Sequence, residues 1–474
     1  MKVVLAFTIA LVLLVGGFAK ADNASDAAKE NEQLRQRVDK LEKELAELKE
    51  MLLQRTAPPS RPAEIEKPKP PVVVQQPVKP QAPIELSEAQ MRKIAEMAGE
   101  TNGKKSVWSN LDIQLYGYIK ADASYDTSRT HPGNYVVWAD SESTKDNDNE
   151  FNMTANQTRL GMLINGPDGD AIKASGRLEF DFYGNYASEN KAKIQMRHAY
   201  MKWLWKDCRT EILAGQTSDV ISPLNPSTLN YTVLWDVGNI GYRRPQIRLT
   251  KWVGLGQDTE LKLEGAIART IGRTSTLVTP NSESGEDAGF PTFQARIGLT
   301  TPIFGKRPTT VGVSSHWGQE EYDITAAGDN KIFDTWSLNL DIEQPIFEWL
   351  KIKTELFTGA NLNEYFGGIG QGVNTDTTKT RFYNEIESKG GWIAASLGPW
   401  DKKEFNIGIG IDDVDSSDLN TGDRSRNQCI FGNMIHSFNK QMQAGIEISH
   451  WRTQYVGPGD ADAIRAQTSL IYKF

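Results

Sequence analysis

From residue 111 to the last residue given, apolar and polar positions alternate with a period of two. In LDIQLYGYIKADASY, Ile113, Leu115, Ile119 and Ala121 occupy odd positions, whereas the even positions are polar or amphipathic. The alternation recurs in the segments 172–182, 260–267, 293–299, 336–342, 352–358, 405–411 and 442–448. Successive side chains of a strand point to opposite faces, so the pattern predicts strands with one apolar and one polar face. Marking every such run gives roughly sixteen strands.

The last nine residues, AQTSLIYKF, form one more alternating strand. Its mostly apolar face carries Ala466, Thr468, Leu470, Tyr472 and Phe474. A terminal strand of this kind is stable when both of its edges are paired, which predicts that the sheet closes into a barrel.

The connections between the predicted strands alternate in length. Short ones lie at 166–170, 254–257, 398–402 and 439–440, and long polar ones at 126–155, 217–239, 272–290, 319–331, 361–381 and 413–425. Short turns on one rim and long loops on the other are typical of an outer-membrane barrel with an even number of antiparallel strands. Tryptophans near strand ends suit an interfacial girdle: Trp252, Trp317, Trp349, Trp400 and Trp451.

A water-soluble β-sandwich or propeller is the alternative to a membrane barrel. The polar face is rich in charges, and unpaired charges in a packed interior cost too much free energy. The sequence also lacks a repeat of blade length. An apolar face toward lipid and a charged face toward a water-filled lumen account for both features.

The N-terminal region differs from the body in composition. Lys2, an apolar run from Val3 to Phe18 and the closing Ala19-Lys20-Ala21 predict a signal peptide over residues 1–21, with a retained anchor as the alternative. The apolar run is shorter than the ~20 residues that a spanning helix requires.

Residues 22–55 carry heptad spacing. The predicted a and d positions are Asn31, Leu34, Val38, Leu41, Leu45, Leu48 and Leu52, and the flanking charges favour a parallel coiled coil between identical chains. A single amphipathic helix is the alternative. Residues 56–85 are rich in proline and predict a stiff linker, and 86–110 predict a short helix with a connector to the barrel of residues 111–474.

Charge and motifs narrow the function classes. The net charge of −8 argues against a nucleic-acid partner. Cys208 and Cys429 lie far apart in sequence, and we expect both to be free. The sequence contains neither GxSxG nor HExxH, its five histidines are scattered, and nothing indicates a cofactor, so an enzyme is not expected.

Several stretches of the body carry a closer likeness to a known family: RHAYMKW (197–203), ILAGQTSDV (212–220), IGYRRPQIRLT (240–250), GGWIAASLGPW (390–400), FNIGIGIDD (405–413), IFGNMIHSF (430–438), GIEISHWRTQY (445–455) and the closing SLIYKF. These stretches resemble the DcaP-like porins. The resemblance implies a homotrimeric diffusion channel in the outer membrane, with an N-terminal helical extension in the periplasm. It also implies small hydrophilic solutes, dicarboxylates among them.

A barrel of this size leaves an aqueous channel whose selectivity depends on its width and its lining charges. In porin-type barrels the third long loop folds inward, and here it contains SPLNPSTLNY. By strand parity we expect these residues to line the pore: Arg159, Arg177, Arg197, Arg244, Arg248, Arg296, Glu179, Asp181 and Glu260. Arginines facing the loop, Arg244 and Arg248 above all, suit passing carboxylates, which predicts a preference for small anions. Alternatively, the arginines only pair with wall acids and the pore is general.

Two further features leave alternatives open. The acidic stretches 139–150 and 411–418 fall in predicted outer loops, where a solvated surface is favoured over a divalent-cation site because the spacing matches no calcium loop. The coiled coil and linker are long enough to reach the cell wall. A tether to peptidoglycan, with the barrel as its membrane anchor, is therefore the alternative function.

Overall fold

The computed structural model describes residues 111–142, 148–169, 171–184, 192–272, 284–303, 307–323, 330–374 and 384–474. The predicted signal peptide, coiled coil, proline-rich linker and short helix lie outside the described residues and stay predictions. The acidic stretch 139–150 is described only in part. No described helix is long and apolar enough to cross a membrane.

The described residues form an all-β body with short helical turns. The strands are β1 Asp112–Asp126, β2 Thr130–Pro132, β3 Val136–Ala139, β4 Glu150–Thr154, β5 Arg159–Asp168, β6 Ile172–Asp181, β7 Gln195–Trp205, β8 Thr210–Ser218, β9 Arg243–Gly254, β10 Glu260–Ala268, β11 Thr292–Thr301, β12 Thr309–Asp323, β13 Asn330–Phe347, β14 Leu350–Ala360, β15 Glu387–Trp400, β16 Lys403–Val414, β17 Arg424–Ser437, β18 Met442–Tyr455 and β19 Ala461–Lys473. One helical turn, α1, spans Ser284–Asp287, and 3-10 turns span Asn363–Tyr365, Gly368–Gly370 and Ser416–Asp418.

All strands except β2 and β3 belong to one closed antiparallel sheet. β4 and β5 are two parts of one barrel strand, because both pair with β1, in its second and first half respectively. β19 pairs with β18 on one side and with β1 on the other, with Tyr472 opposite Ile119. The predicted barrel of about sixteen strands is therefore confirmed. β2 and β3 form a separate hairpin in the first long connection.

The barrel is apolar outside and polar inside. Large apolar side chains such as Leu115, Ile297 and Leu470 point outward and are 75%, 58% and 65% exposed. Interior positions of the same strands carry buried polar groups, for example Lys120 and Arg296. A water-soluble sandwich or propeller would bury its apolar face, so this inverted pattern excludes that alternative.

The connections follow the predicted alternation. The described residues of the short turns at 166–170, 254–257, 398–402 and 439–440 lie on one rim, and those of the long connections lie on the other. The predicted connection 319–331 is too long, because residues 319–323 belong to β12 and 330–331 to β13. We call these the short-turn rim and the long-loop rim.

The predicted aromatic girdle is confirmed for three tryptophans and wrong for two. Trp349 and Trp400 stand exposed at the short-turn rim with ring centroids 5.8 Å apart, and Trp317 is exposed toward the long-loop rim. Trp451 is 1% exposed and packs in the barrel interior. Trp252 pairs across the sheet with the inward-facing Lys262, so it also faces the lumen.

Candidate functional site: a lumen narrowed by a loop

The connection between β8 and β9, residues 219–242, enters the barrel as predicted, and we call it the inserted loop. It is held at the opposite wall by Glu447 of β18. The backbone N–H groups of Leu229 and Asn230 donate to the two carboxylate oxygens at 2.6 and 3.1 Å, and the Asn433 amide donates to the same group at 2.9 Å. One carboxylate thereby fixes the middle of the loop.

A second carboxylate fixes the loop five residues earlier in the chain. The backbone N–H of Leu224 donates to Glu355 of β14 at 2.7 Å, and the Trp392 indole donates to the other oxygen at 2.9 Å. On the far side, Lys120 of β1 donates to the carbonyl of Leu229 at 2.7 Å. The loop therefore spans the lumen between β8 and β9 at its root and β14, β18 and β1 at its tip.

Cations gather around one buried glutamate on the wall at the root of the loop. Glu179 of β6 accepts from Arg177 and from Arg197 (2.9 Å), and Arg159 lies 3.5 Å away. Arg197 also contacts Asp181 at 2.6 Å. The register between β6 and β7 shifts beside Glu179, and this bulge turns Arg197 toward the lumen side. Five of the predicted pore residues are thus brought together.

A second cluster of the same design lies two strands beyond the loop. Glu264 of β10 has Lys262, Arg296 and Arg248 within 3.0, 3.5 and 3.7 Å. Arg296 is also paired with Asp341 of β13 at 2.6 Å. Each cluster therefore holds three cations against two acids.

Arg244 does not line the pore as predicted. Its guanidinium is fully buried, pairs with Asp219 at 2.7 Å and lies 3.8 Å from the centre of the Tyr365 ring. Burial acts to raise the pKa of Asp219, but Arg244, Gln294 and the Tyr242 N–H hold the pKa below its ordinary value. Arg244 thus fastens the root of the inserted loop to the wall and is out of reach of solutes. Strand parity alone could not show that another loop covers it.

Glu260 lies apart from the other predicted site residues. It is 39% exposed at the short-turn rim, where it accepts from Arg209 of the neighbouring turn. An exposed pair at the rim has little influence on the narrow part of the lumen, because solvent screens it.

The acidic stretch 411–418 is only partly a loop. Residues 411–414 complete β16, and Asp412 has no exposed surface, so the prediction of a solvated outer loop is wrong there. Asp415 begins the loop proper, where its carboxylate accepts from the Ser417 N–H at 2.9 Å.

A cavity of about 320 Å³ lies between the inserted loop and the wall at its root. Arg159, Arg197, Arg243 and Tyr118 line it together with loop residues. Arg243 was missed by the sequence analysis because it has the opposite strand parity to Arg244. It is the first residue of β9, where the turn into the strand governs the side-chain direction. The adjacent arginines of RRPQIR were the available signal.

Comparisons with known proteins support the same architecture. No protein-family model matches the chain, and no curated protein matches it. The crystal structure of the outer membrane channel DcaP of Acinetobacter baumannii is similar, with 20% identity, a TM-score of 0.60 and coverage of 79% of this chain and 100% of that one. An anion-selective porin from Comamonas acidovorans is similar at 10% identity and a TM-score of 0.50, covering 77% of this chain and 100% of that one. The expected resemblance to DcaP-like porins is confirmed for the fold.

Proposed function

We propose that this chain is an outer-membrane porin through which small hydrophilic solutes diffuse passively, with a preference for small anions such as carboxylates. The proposal extends the porin fold to the porin activity. The DcaP channel and the anion-selective porin, which share the barrel, are consistent with it.

One observation carries the preference for anions: the central glutamate of each cluster is more deeply buried than the cations around it, apart from Arg296, which is 5% exposed. The side chains of Glu179 and Glu264 are 1% and 6% exposed, whereas those of Arg159, Arg177 and Lys262 are 21%, 30% and 38% exposed. A passing solute therefore meets positive groups first. Such fixed charges raise the local concentration of anions and lower that of cations.

The test is the reversal potential of the purified full chain in a planar bilayer under a salt gradient. Arg159→Gln combined with Arg248→Gln removes one cation from each cluster and leaves every glutamate paired. We expect the anion-to-cation permeability ratio to fall severalfold, because a fixed charge on the lumen wall acts on passing ions over about a Debye length, about 10 Å at 0.1 M salt.

The matched control is Arg426→Gln combined with Arg452→Gln. It makes the same change in net charge on the outer face of the barrel, where both arginines have acid partners. An unchanged permeability ratio in the Arg159 and Arg248 variant would contradict the selective pore and leave a general one.

We further propose that the chain assembles as a homotrimer, with its N-terminal stalk in the periplasm and peptidoglycan as a candidate partner. The heptads of residues 22–55 support self-association, and the apolar outer face supports a bilayer environment. Deleting residues 22–110 separates pore from tether. A pore keeps its single-channel conductance without the stalk, whereas a tether loses its attachment to the cell wall.

A further inference from the structure

Aromatic rings line a cavity of about 690 Å³ on the long-loop side of the inserted loop. They come from the connections that follow β1, β6, β8 and β14: Tyr135, Trp138, Tyr183, Tyr231, Trp235, Tyr242 and Phe366. Trp235 and Phe366 stack with ring centroids 4.2 Å apart and planes 9° apart. Ring faces and edges in one cavity suit a flat, apolar part of a solute.

This aromatic cavity adjoins the smaller cavity with the arginines. Tyr231, Trp235 and Tyr242 line both of them. A solute that contacts the rings is therefore next to Arg159, Arg197 and Arg243. The two cavities meet at Tyr231, Trp235 and Tyr242.

Arg243 differs from the other arginines that line the smaller cavity, Arg159 and Arg197, which are paired with acids. It is 6% exposed, and its guanidinium carbon lies 4.6 Å from the centre of the Tyr242 ring and 5.8 Å from that of Trp235. Its Nε and Nη2 have no hydrogen-bond partner, and no carboxylate among the described residues forms an ion pair with it. A buried charge without a counter-charge is costly, so an anion in the adjoining cavity would be stabilised there.

We propose that the channel favours carboxylates that carry one aromatic ring. This inference rests on the proposed function and names its solute class. The ring packs against Tyr231, Trp235 and Tyr242 while the carboxylate faces Arg243. A cavity of about 150 Å³ is enough for a benzene-sized molecule, so the space suffices.

Two other solute classes would contact either the arginines or the rings, but not both. An aliphatic dicarboxylate meets the arginines but gains nothing from the rings. A neutral sugar stacks on rings but leaves the charge of Arg243 without a counter-ion. The rings could also serve only to pack the inserted loop, since Tyr183, Tyr231 and Trp235 are mostly buried. The experiment separates these cases.

The experiment measures block of the chloride current through the purified full chain in planar bilayers. The probes are benzoate, cyclohexanecarboxylate of similar size and equal charge, neutral benzamide, succinate and maltose. We expect benzoate to block at concentrations about two- to tenfold lower than cyclohexanecarboxylate, since an aromatic pair contributes about 0.5–1.5 kcal/mol beyond its buried area. Benzamide should block more weakly than benzoate.

Variants test the aromatic rings and Arg243 separately. Trp235→Leu should remove the advantage of benzoate over cyclohexanecarboxylate, and Phe366→Leu tests the same point if the first variant does not fold. Trp252→Leu is the matched control, because its ring faces the lumen but lies outside both cavities. Arg243→Gln should bring benzoate to the level of benzamide, with Arg452→Gln as the control on the outer face.

Equal block by benzoate and cyclohexanecarboxylate in an anion-selective wild-type channel would overturn the aromatic proposal and leave the porin function standing. Stronger block by succinate or maltose than by benzoate would overturn it in the same way. If the purified chain formed no channel at all, the proposed function would fall together with the inference.

Discussion

The inserted loop should loosen when the two glutamate side chains that hold it are replaced by amides. The perturbation is Glu355→Gln combined with Glu447→Gln, which keeps the side-chain volume. Glu447 accepts from two backbone N–H groups and Glu355 from one. A glutamine amide offers one acceptor oxygen and one NH₂ group, so at Glu447 at least one loop N–H then faces a donor.

The magnitude follows from the bonds that are lost. A buried donor that is left without its acceptor costs about 1–3 kcal/mol. One such donor at each site would destabilise the attached loop by about 2–6 kcal/mol, or roughly thirtyfold to ten-thousandfold in the ratio of detached to attached loop. The amide of Asn433 and the ammonium of Lys120 still hold the loop backbone, so the low end of the range applies.

Single-channel recording reads this change directly. A detached loop widens the lumen, so we expect higher mean conductance and new transitions between conductance levels in the double variant. The matched control is Glu343→Gln, a strand glutamate that pairs with Lys351 and does not contact the loop. Traces of the double variant that match those of Glu343→Gln would refute the claim that these carboxylates hold the loop.

Three further predictions concern the loop and the rims. Asp219→Asn should lower the free energy of unfolding by about 3–5 kcal/mol in detergent and urea, because it leaves Arg244 buried without its partner, whereas Asp460→Asn at an exposed pair should cost about 0–1 kcal/mol. Gly238→Ala should displace the inserted loop and raise conductance, because Gly238 has φ +100° and a Cβ there would overlap the Gly391 carbonyl. Gly254→Ala is the control, since a Cβ at Gly254 would meet nothing within 4 Å. In outer-membrane barrels the short turns face the periplasm, so Cys208, exposed in a short turn, should react with an impermeant maleimide only after the outer membrane is opened, and buried Cys429 only after unfolding. Labelling of Cys208 on intact cells would contradict this orientation.

The barrel itself could be predicted from the sequence because the alternation within each strand shows which of its faces is apolar. The alternation around Leu115 or Leu470 places apolar residues on the lipid side regardless of what lies elsewhere in the chain. Closure also followed from a local feature, since the terminal strand of residues 461–473 needs partners on both edges.

The loop contacts could not be predicted, because strand parity gives the side of the wall and not what covers it. Arg244 and Arg248 share a parity, yet Tyr365 from a distant connection covers the first and leaves the second 15% exposed. Trp451 fits a membrane girdle by its place near a strand end, but its parity turns it inward among apolar residues that include the inserted loop's Leu234. Such contacts depend on how non-local segments meet.

In the wall clusters we expect the buried acids to stabilise the fold and the more exposed cations to determine the ion selectivity. One pair of variants can test this. Glu179 is 1% exposed and holds three arginines, so Glu179→Gln should cost several kcal/mol of unfolding free energy, because the three clustered guanidinium groups then share only Asp181 as a counter-charge. Arg159 is 21% exposed and shares Glu179 with two other arginines, so Arg159→Gln should cost about 1 kcal/mol or less but lower the anion-to-cation permeability ratio. Urea unfolding and reversal potentials measured on both variants give the comparison. Wild-type stability in Glu179→Gln together with unfolding in Arg159→Gln would show that the buried acids do not stabilise these clusters. The proposal that partly exposed cations determine the ion selectivity would then be contradicted.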